Sequence, residues 1–79
     1  MEEQIMWTEG TIKTPTSLVR YWVKYFEEGS EFGIDGGRIS KLMIRQEDKT
    51  IANYDRGWDI EPQDEDARIA FQILMTKYN

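Results

Sequence analysis

Residues 17–26 read SLVRYWVKYF. The stretch is dense in β-branched and aromatic side chains, which suit a pleated, half-buried surface, and it predicts a strand. Side chains two positions apart share a face of a strand. One face therefore carries Val19, Tyr21, Val23 and Tyr25 and no charge, while the other carries Leu18, Arg20, Trp22, Lys24 and Phe26. This asymmetry decides the fold, because the uncharged face needs a cover and the cationic one does not.

The next strand, Arg38–Gln46 (RISKLMIRQ), divides in the same way: Ser40, Leu42 and Ile44 against Ile39, Lys41, Met43 and Arg45. A hairpin brings like faces together. The expected open face is thus Arg20, Trp22, Lys24, Phe26, Ile39, Lys41, Met43 and Arg45, with the uncharged set turned to the core.

Working outward, Ile5–Lys13 (IMWTEGTIK) predicts a first strand, with a bulge or strong twist where its alternation shifts at Glu9-Gly10. The TPTS of residues 14–17 is a turn, since Pro15 fixes its own φ and holds Thr14 extended. EDKT at 47–50 is a second, polar turn, and Ile51–Tyr54 begins a fourth strand expected to fray at Asp55. From Asp64 onward the period changes. Ala67, Ala70, Phe71, Leu74 and Tyr78 recur at helical spacing, behind Pro62 and the acidic Asp64, Glu65 and Asp66 that favour a helix N-terminus. Four strands followed by one helix predict a single α+β domain over residues 1–79, a ββββα chain. Its four-stranded antiparallel meander would have the C-terminal helix packed on one face.

Composition narrows the function. The 79 residues lie near the lower size for a core without staples, and three Trp, four Tyr and three Phe supply large buried area per side chain. There is no cysteine and no histidine, which removes disulfides, thiolate metal sites and the commonest general base. No cofactor and no metal are expected, and the chain reads as a non-enzyme. The start, MEEQIMWTEG, lacks the apolar segment of a signal peptide, and no apolar run reaches membrane-spanning length. A cytoplasmic protein is expected. The net charge of −5 disfavours general attraction to nucleic acid or anionic lipid.

Two clusters invite a ligand. The loop GSEFGIDGGR (29–38) holds Gly29, Gly33, Gly36 and Gly37. It lacks the lysine and following helix of a phosphate cradle, the spacing of a dinucleotide fingerprint and the oxygen ligands of a calcium loop. Its glycines fit positive φ at Gly36-Gly37 and midway at Gly33, so a structural loop is the favoured reading. The run YDRGWD (54–59) alternates acid, base and aromatic groups. A local ion pair beside a half-buried tryptophan is its simpler reading. A small ligand would meet Asp35, Arg38, Tyr54, Asp55, Arg56 and Trp58, with Asp35 and Asp55 as a weakly signalled acid and base pair.

The segments YWVKYF (21–26), SEFGIDGGRISKL (30–42) and NYDRGWD (53–59) resemble a family of short uncharacterised proteins of Gram-positive bacteria and their mobile elements, grouped as a domain of unknown function. The resemblance runs from Trp7 to the terminal helix. It implies a small bacterial, intracellular and prophage-borne protein, and it carries no activity or catalytic residue to transfer.

The leading expectation is a binding protein that uses its cationic and aromatic sheet face for a protein partner or a second copy of itself, as a homodimer. A regulator or inhibitor from a mobile element would act in this way. The alternatives are a nucleic-acid module stacking bases on Trp22 and Phe26, and a small-molecule binder built on the glycine loop and YDRGWD.

Overall fold

The computed structural model describes residues 5–79. β1 (Ile5–Lys13), β2 (Leu18–Phe26), β3 (Ile39–Gln46), β4 (Lys49–Asp55) and β5 (Trp58–Ile60) precede α1 (Glu65–Tyr78). Neighbours in sequence are neighbours in the sheet, in the order β1-β2-β3-β4-β5, and every pair is antiparallel. The fold is the expected antiparallel meander with one C-terminal helix, but the sheet has five strands and not four. Beyond Asp55 the chain does not fray. Arg56 adopts φ 60° beside Gly57, the Asp55 amide donates to the Gly57 carbonyl at 2.9 Å, and Trp58–Ile60 returns along β4. Three residues are too few to show a period of two, which hides this strand from pattern reading.

The β1–β2 register runs unbroken from Ile5↔Phe26 to Lys13↔Leu18, so of the bulge or strong twist expected at Glu9-Gly10 the bulge is absent. Gly10 answers a different need: a Cβ there would lie 2.8 Å from the Tyr21 hydroxyl, which crosses over it. The turn at 14–17 closes as expected, with the Thr14 amide donating to the Ser17 carbonyl at 2.8 Å.

Bulges occur elsewhere. Lys24 pairs with Lys41 but Tyr25 pairs with Ile39, leaving Ser40 as the extra residue on β3. Ile51 is extra on β4, between Ile44↔Ala52 and Arg45↔Thr50, and Asp59 is extra on β5. Each inserted residue bends its strand and tightens the local twist.

The core lies between the sheet and α1. Val19, Val23, Leu42 and Ile44 from the uncharged strand faces are buried against Ala67, Ala70 and Leu74 of the helix stripe. Burying each branched side chain there is worth about 1.5–3 kcal/mol. Asp64 caps the helix, its carboxylate accepting from the Ala67 amide at 2.7 Å. Buried Asp66 accepts from the Thr16 hydroxyl and from Gln46 Nε2 at 3.1 Å. One carboxylate thus ties the first turn and the end of β3 to the start of the helix. The Thr16 hydroxyl bond, ahead of the opposing cost of burial, holds its carboxyl below the usual range.

Candidate interaction face

The sheet surface away from α1 is built from rows of side chains set by register. One row runs Trp7, Lys24, Lys41, Asp55, and the next runs Glu9, Trp22, Met43, Asn53, Ile60. A third runs Thr11, Arg20, Arg45, Thr50. Ile5 and Phe26 flank the first row, and Lys13 and Leu18 lie beyond the third.

Two of these pairings set like charges directly opposite each other, Lys24 with Lys41 and Arg20 with Arg45. Opposed like charges destabilise a sheet. Local partners take up part of that cost. Lys24 Nζ lies 5.8 Å from the Trp7 ring centre and 5.6 Å from that of Phe26, and the Arg20 guanidinium lies 5.1 Å from Trp22. Such contacts are worth about 0.5–1 kcal/mol at exposed sites. Lys41 stands 3.8 Å from Asp55, the one ion pair among the described residues, and Arg45 Nη2 donates to the Asp48 carbonyl at 3.0 Å.

Apolar groups stay open between the cations. Trp7 is 62% exposed, Leu18 60%, Ile5 51% and Met43 36%. Trp7, Trp22, Met43, Asn53, Lys41 and Asp55 enclose a groove of about 470 Å³ across the middle of the face. Its walls are aromatic and thioether, and its rim is ionic.

Seven of the eight residues expected on this surface stand on it: Arg20, Trp22, Lys24, Phe26, Lys41, Met43 and Arg45. Ile39 does not. The Ser40 bulge shifts the register by one, so Ile39 pairs with Tyr25 and is fully buried in the core. A one-residue shift moves a side chain to the opposite face. Pattern reading also left Trp7 out of the surface. Alternation along β1 places it there once Gly10 is read as room for Tyr21 and not as a break in register.

The glycine loop is held by packed backbone. A Cβ on Gly33 would lie 1.9 Å from the Gly37 carbonyl oxygen, and one on Gly29 would lie 2.5 Å from that of Gly36. Gly36 has φ 73°, but Gly33 and Gly37 have negative φ, and the second left-handed position belongs to Asp35 at φ 53°. Ile34 is buried beneath a single 3-10 turn over Ile34–Gly36. The Tyr54 hydroxyl donates to the Phe32 carbonyl at 2.9 Å, and Asn79 Nδ2 donates to that of Ile34 at 3.1 Å.

The ligand-loop residues do not converge. Asp35 and Trp58 line a cleft of about 410 Å³ with Phe71 and Arg68 on the helix side. Asp55 lies on the opposite surface with Lys41, so Asp35 and Asp55 form no acid and base pair. The Arg56 guanidinium lies 5.8 Å from the Phe32 ring centre, and that of Arg38 lies 5.2 Å from Tyr25. Trp58 closes the edge of the core, tilted edge-on to Tyr54 at 5.1 Å and to Phe71 at 5.3 Å. It is the tryptophan of the simpler reading, although Asp55 pairs with Lys41 across the strands.

A model of a domain of unknown function, DUF7678, matches residues 6–79. The chain belongs to the DUF7678 family. The match takes in the helix and all of the meander but its first residue. No curated protein and no solved structure matches the chain. Among the described residues no group of potential ligands could hold a metal ion, and no helix is long and apolar enough to cross a membrane.

Proposed function

We propose that this DUF7678 protein is a non-enzymatic binding protein, and that its open sheet face docks a protein partner bearing acidic residues around an apolar anchor. One observation carries the reading. The opposed pairs Lys24/Lys41 and Arg20/Arg45 bracket Trp22 and Met43, a costly arrangement for stability that an acidic partner would relieve. The pairs are four residues apart along β2, roughly 13 Å at strand rise. The groove between them would take the anchor, as buried aromatic contacts do at binding hot spots. The absence of histidine and cysteine from the sequence supports a binding role over catalysis. By resemblance to proteins of mobile elements, we assign it the role of a bacterial, cytoplasmic regulator or inhibitor of a host protein.

The test is affinity capture with the full chain as bait. A partner retained by wild type should be lost with Trp22→Glu and with Lys41→Glu, and kept with Lys77→Glu on the helix. Added salt should weaken it. Capture indifferent to Trp22→Glu would refute the face as the binding surface.

Nucleic acid is the second reading, favoured by the closeness of Trp7 and Phe26 to Lys24. These rings would stack bases while the lysines met phosphates. A salt-dependent gel shift with single-stranded DNA or RNA, abolished by Trp7→Glu or Phe26→Glu, would select it. The net charge of −5 weighs against it.

A further inference from the structure

The two edges of the sheet are treated differently. β5 is three residues long, carries a bulge at Asp59 and is followed within two residues by Pro62. Shortness, bulges and proline are devices that keep an edge from pairing with another chain. β1 has none of them. It is nine residues long, free of proline and of bulges, and pairs with β2 along one side only among the described residues.

The direction of its backbone groups follows from two bonds. The Phe26 amide donates to the Arg38 carbonyl on the β3 side of β2, and the Thr14 amide donates to the Ser17 carbonyl across the β1–β2 turn. With an unbroken register, the backbone groups of Met6, Thr8, Gly10 and Ile12 turn to β2. Those of Ile5, Trp7, Glu9, Thr11 and Lys13 turn outward. This outward set is also the set whose side chains lie on the open face.

We infer that β1 is a self-association edge, and that a second copy of this chain adds its own β1 antiparallel to it, joining two five-stranded sheets into one. Charge selects the copy and its register. Pairing centred on Glu9 would set two Glu9 side chains opposite each other, which is unfavourable. Pairing centred on Gly10, two residues along in the partner, sets Lys13 opposite Trp7 of the second copy and Thr11 opposite its Glu9. A cation then lies beside an indole that is 62% exposed in the single chain. Face-to-face self-pairing is less favourable, because it would bring Lys24, Lys41, Arg20 and Arg45 of both copies together with only Glu9 and Asp55 of each to offset them. Edge pairing leaves the open faces side by side as one surface with two grooves. It goes beyond the binding reading above, which requires only a single copy.

The test is sedimentation velocity of the full chain over a wide concentration range, with circular dichroism of each variant. Wild type should form a dimer. Thr11→Pro removes an outward N–H and should give a monomer with unchanged dichroism, whereas Ile12→Pro removes an inward one and should unfold the chain. Amide exchange supplies a readout independent of the variants: Trp7, Glu9 and Thr11 should lose protection by more than about tenfold on dilution from dimer to monomer. A strictly monomeric wild type at millimolar concentration would overturn the inference, as would a dimer in which those amides exchange freely. A dimer that survives Thr11→Pro but not Trp22→Glu would move self-association to the open face and overturn the edge assignment, while leaving partner capture to be judged on its own assay.

Discussion

The side-chain amide of Asn79 bridges the glycine loop and the start of β3. Its oxygen accepts from the Ile39 amide at 3.0 Å, and its nitrogen donates to the Ile34 carbonyl at 3.1 Å. These partners are 40 and 45 residues distant in sequence. A polar group at the helix C-cap thereby pairs the first amide of β3 and adds a second donor to the Ile34 carbonyl, which also accepts from the Gly37 amide at 2.9 Å.

Asn79→Ala should lower stability by about 1–3 kcal/mol, since the Ile39 amide loses its partner while the Ile34 carbonyl keeps only the Gly37 amide. Urea midpoints would show the loss, and faster exchange of the Ile39 amide would locate it. A midpoint equal to wild type would mean that water replaces both bonds without cost.

The loop glycines should rank by what surrounds them. Gly33→Ala drives a Cβ into the Gly37 carbonyl, a backbone atom that has nowhere to go, and should cost most. Gly36→Ala meets open space but stands at φ 73°, so it should cost roughly 1–2 kcal/mol. Asp35→Gly relieves φ 53° and should be neutral or slightly stabilising. Thermal unfolding of the three variants tests the order, and a large loss for Asp35→Gly would assign its carboxylate a structural or ligand role.

Ile39 and Met43 lie on one strand and should respond oppositely. Ile39→Ala empties a fully buried site and should cost about 2–5 kcal/mol. Met43→Ala on the open face should cost under about 1 kcal/mol. Leu74→Asp should abolish folding, because an unpaired carboxylate would replace a core side chain. Similar midpoints for Ile39→Ala and Met43→Ala would contradict the bulge at Ser40.

Asp66 predicts an acid limb in the stability profile. Its carboxyl is held below the ordinary value of 3.8 by the Thr16 hydroxyl bond. A group whose folded pKa is depressed contributes stability above its unfolded pKa and loses it as the pH falls through the folded value. Stability should therefore decline as the pH drops below about 4, and Asp66→Asn should flatten that decline. Identical acid limbs in the two proteins would assign the decline to other carboxylates.

The sequence alone determined the layering. Strict alternation in β2 separates charged from uncharged side chains, and the helical stripe Ala67, Ala70, Leu74 supplies a cover for the uncharged face. These are local periodicities, readable because each depends on residues two to four positions apart. Non-local pairing decided the rest. The Ser40 bulge inverts Ile39 and takes it from the open face into the core, and nothing within β3 itself announces that shift. The fifth strand exists because a left-handed Arg56 returns the chain to β4 over too short a run to show a period. Asp66 looks in sequence like one more acid at a helix start, yet Thr16, 50 residues earlier, makes it a buried link. The groove of the open face likewise needs Trp7 from β1 beside Trp22 from β2 and Asp55 from β4. Alternation can say which way each of these side chains points. Only the register of four strands brings them together, because register depends on bulges and turns that no single strand encodes.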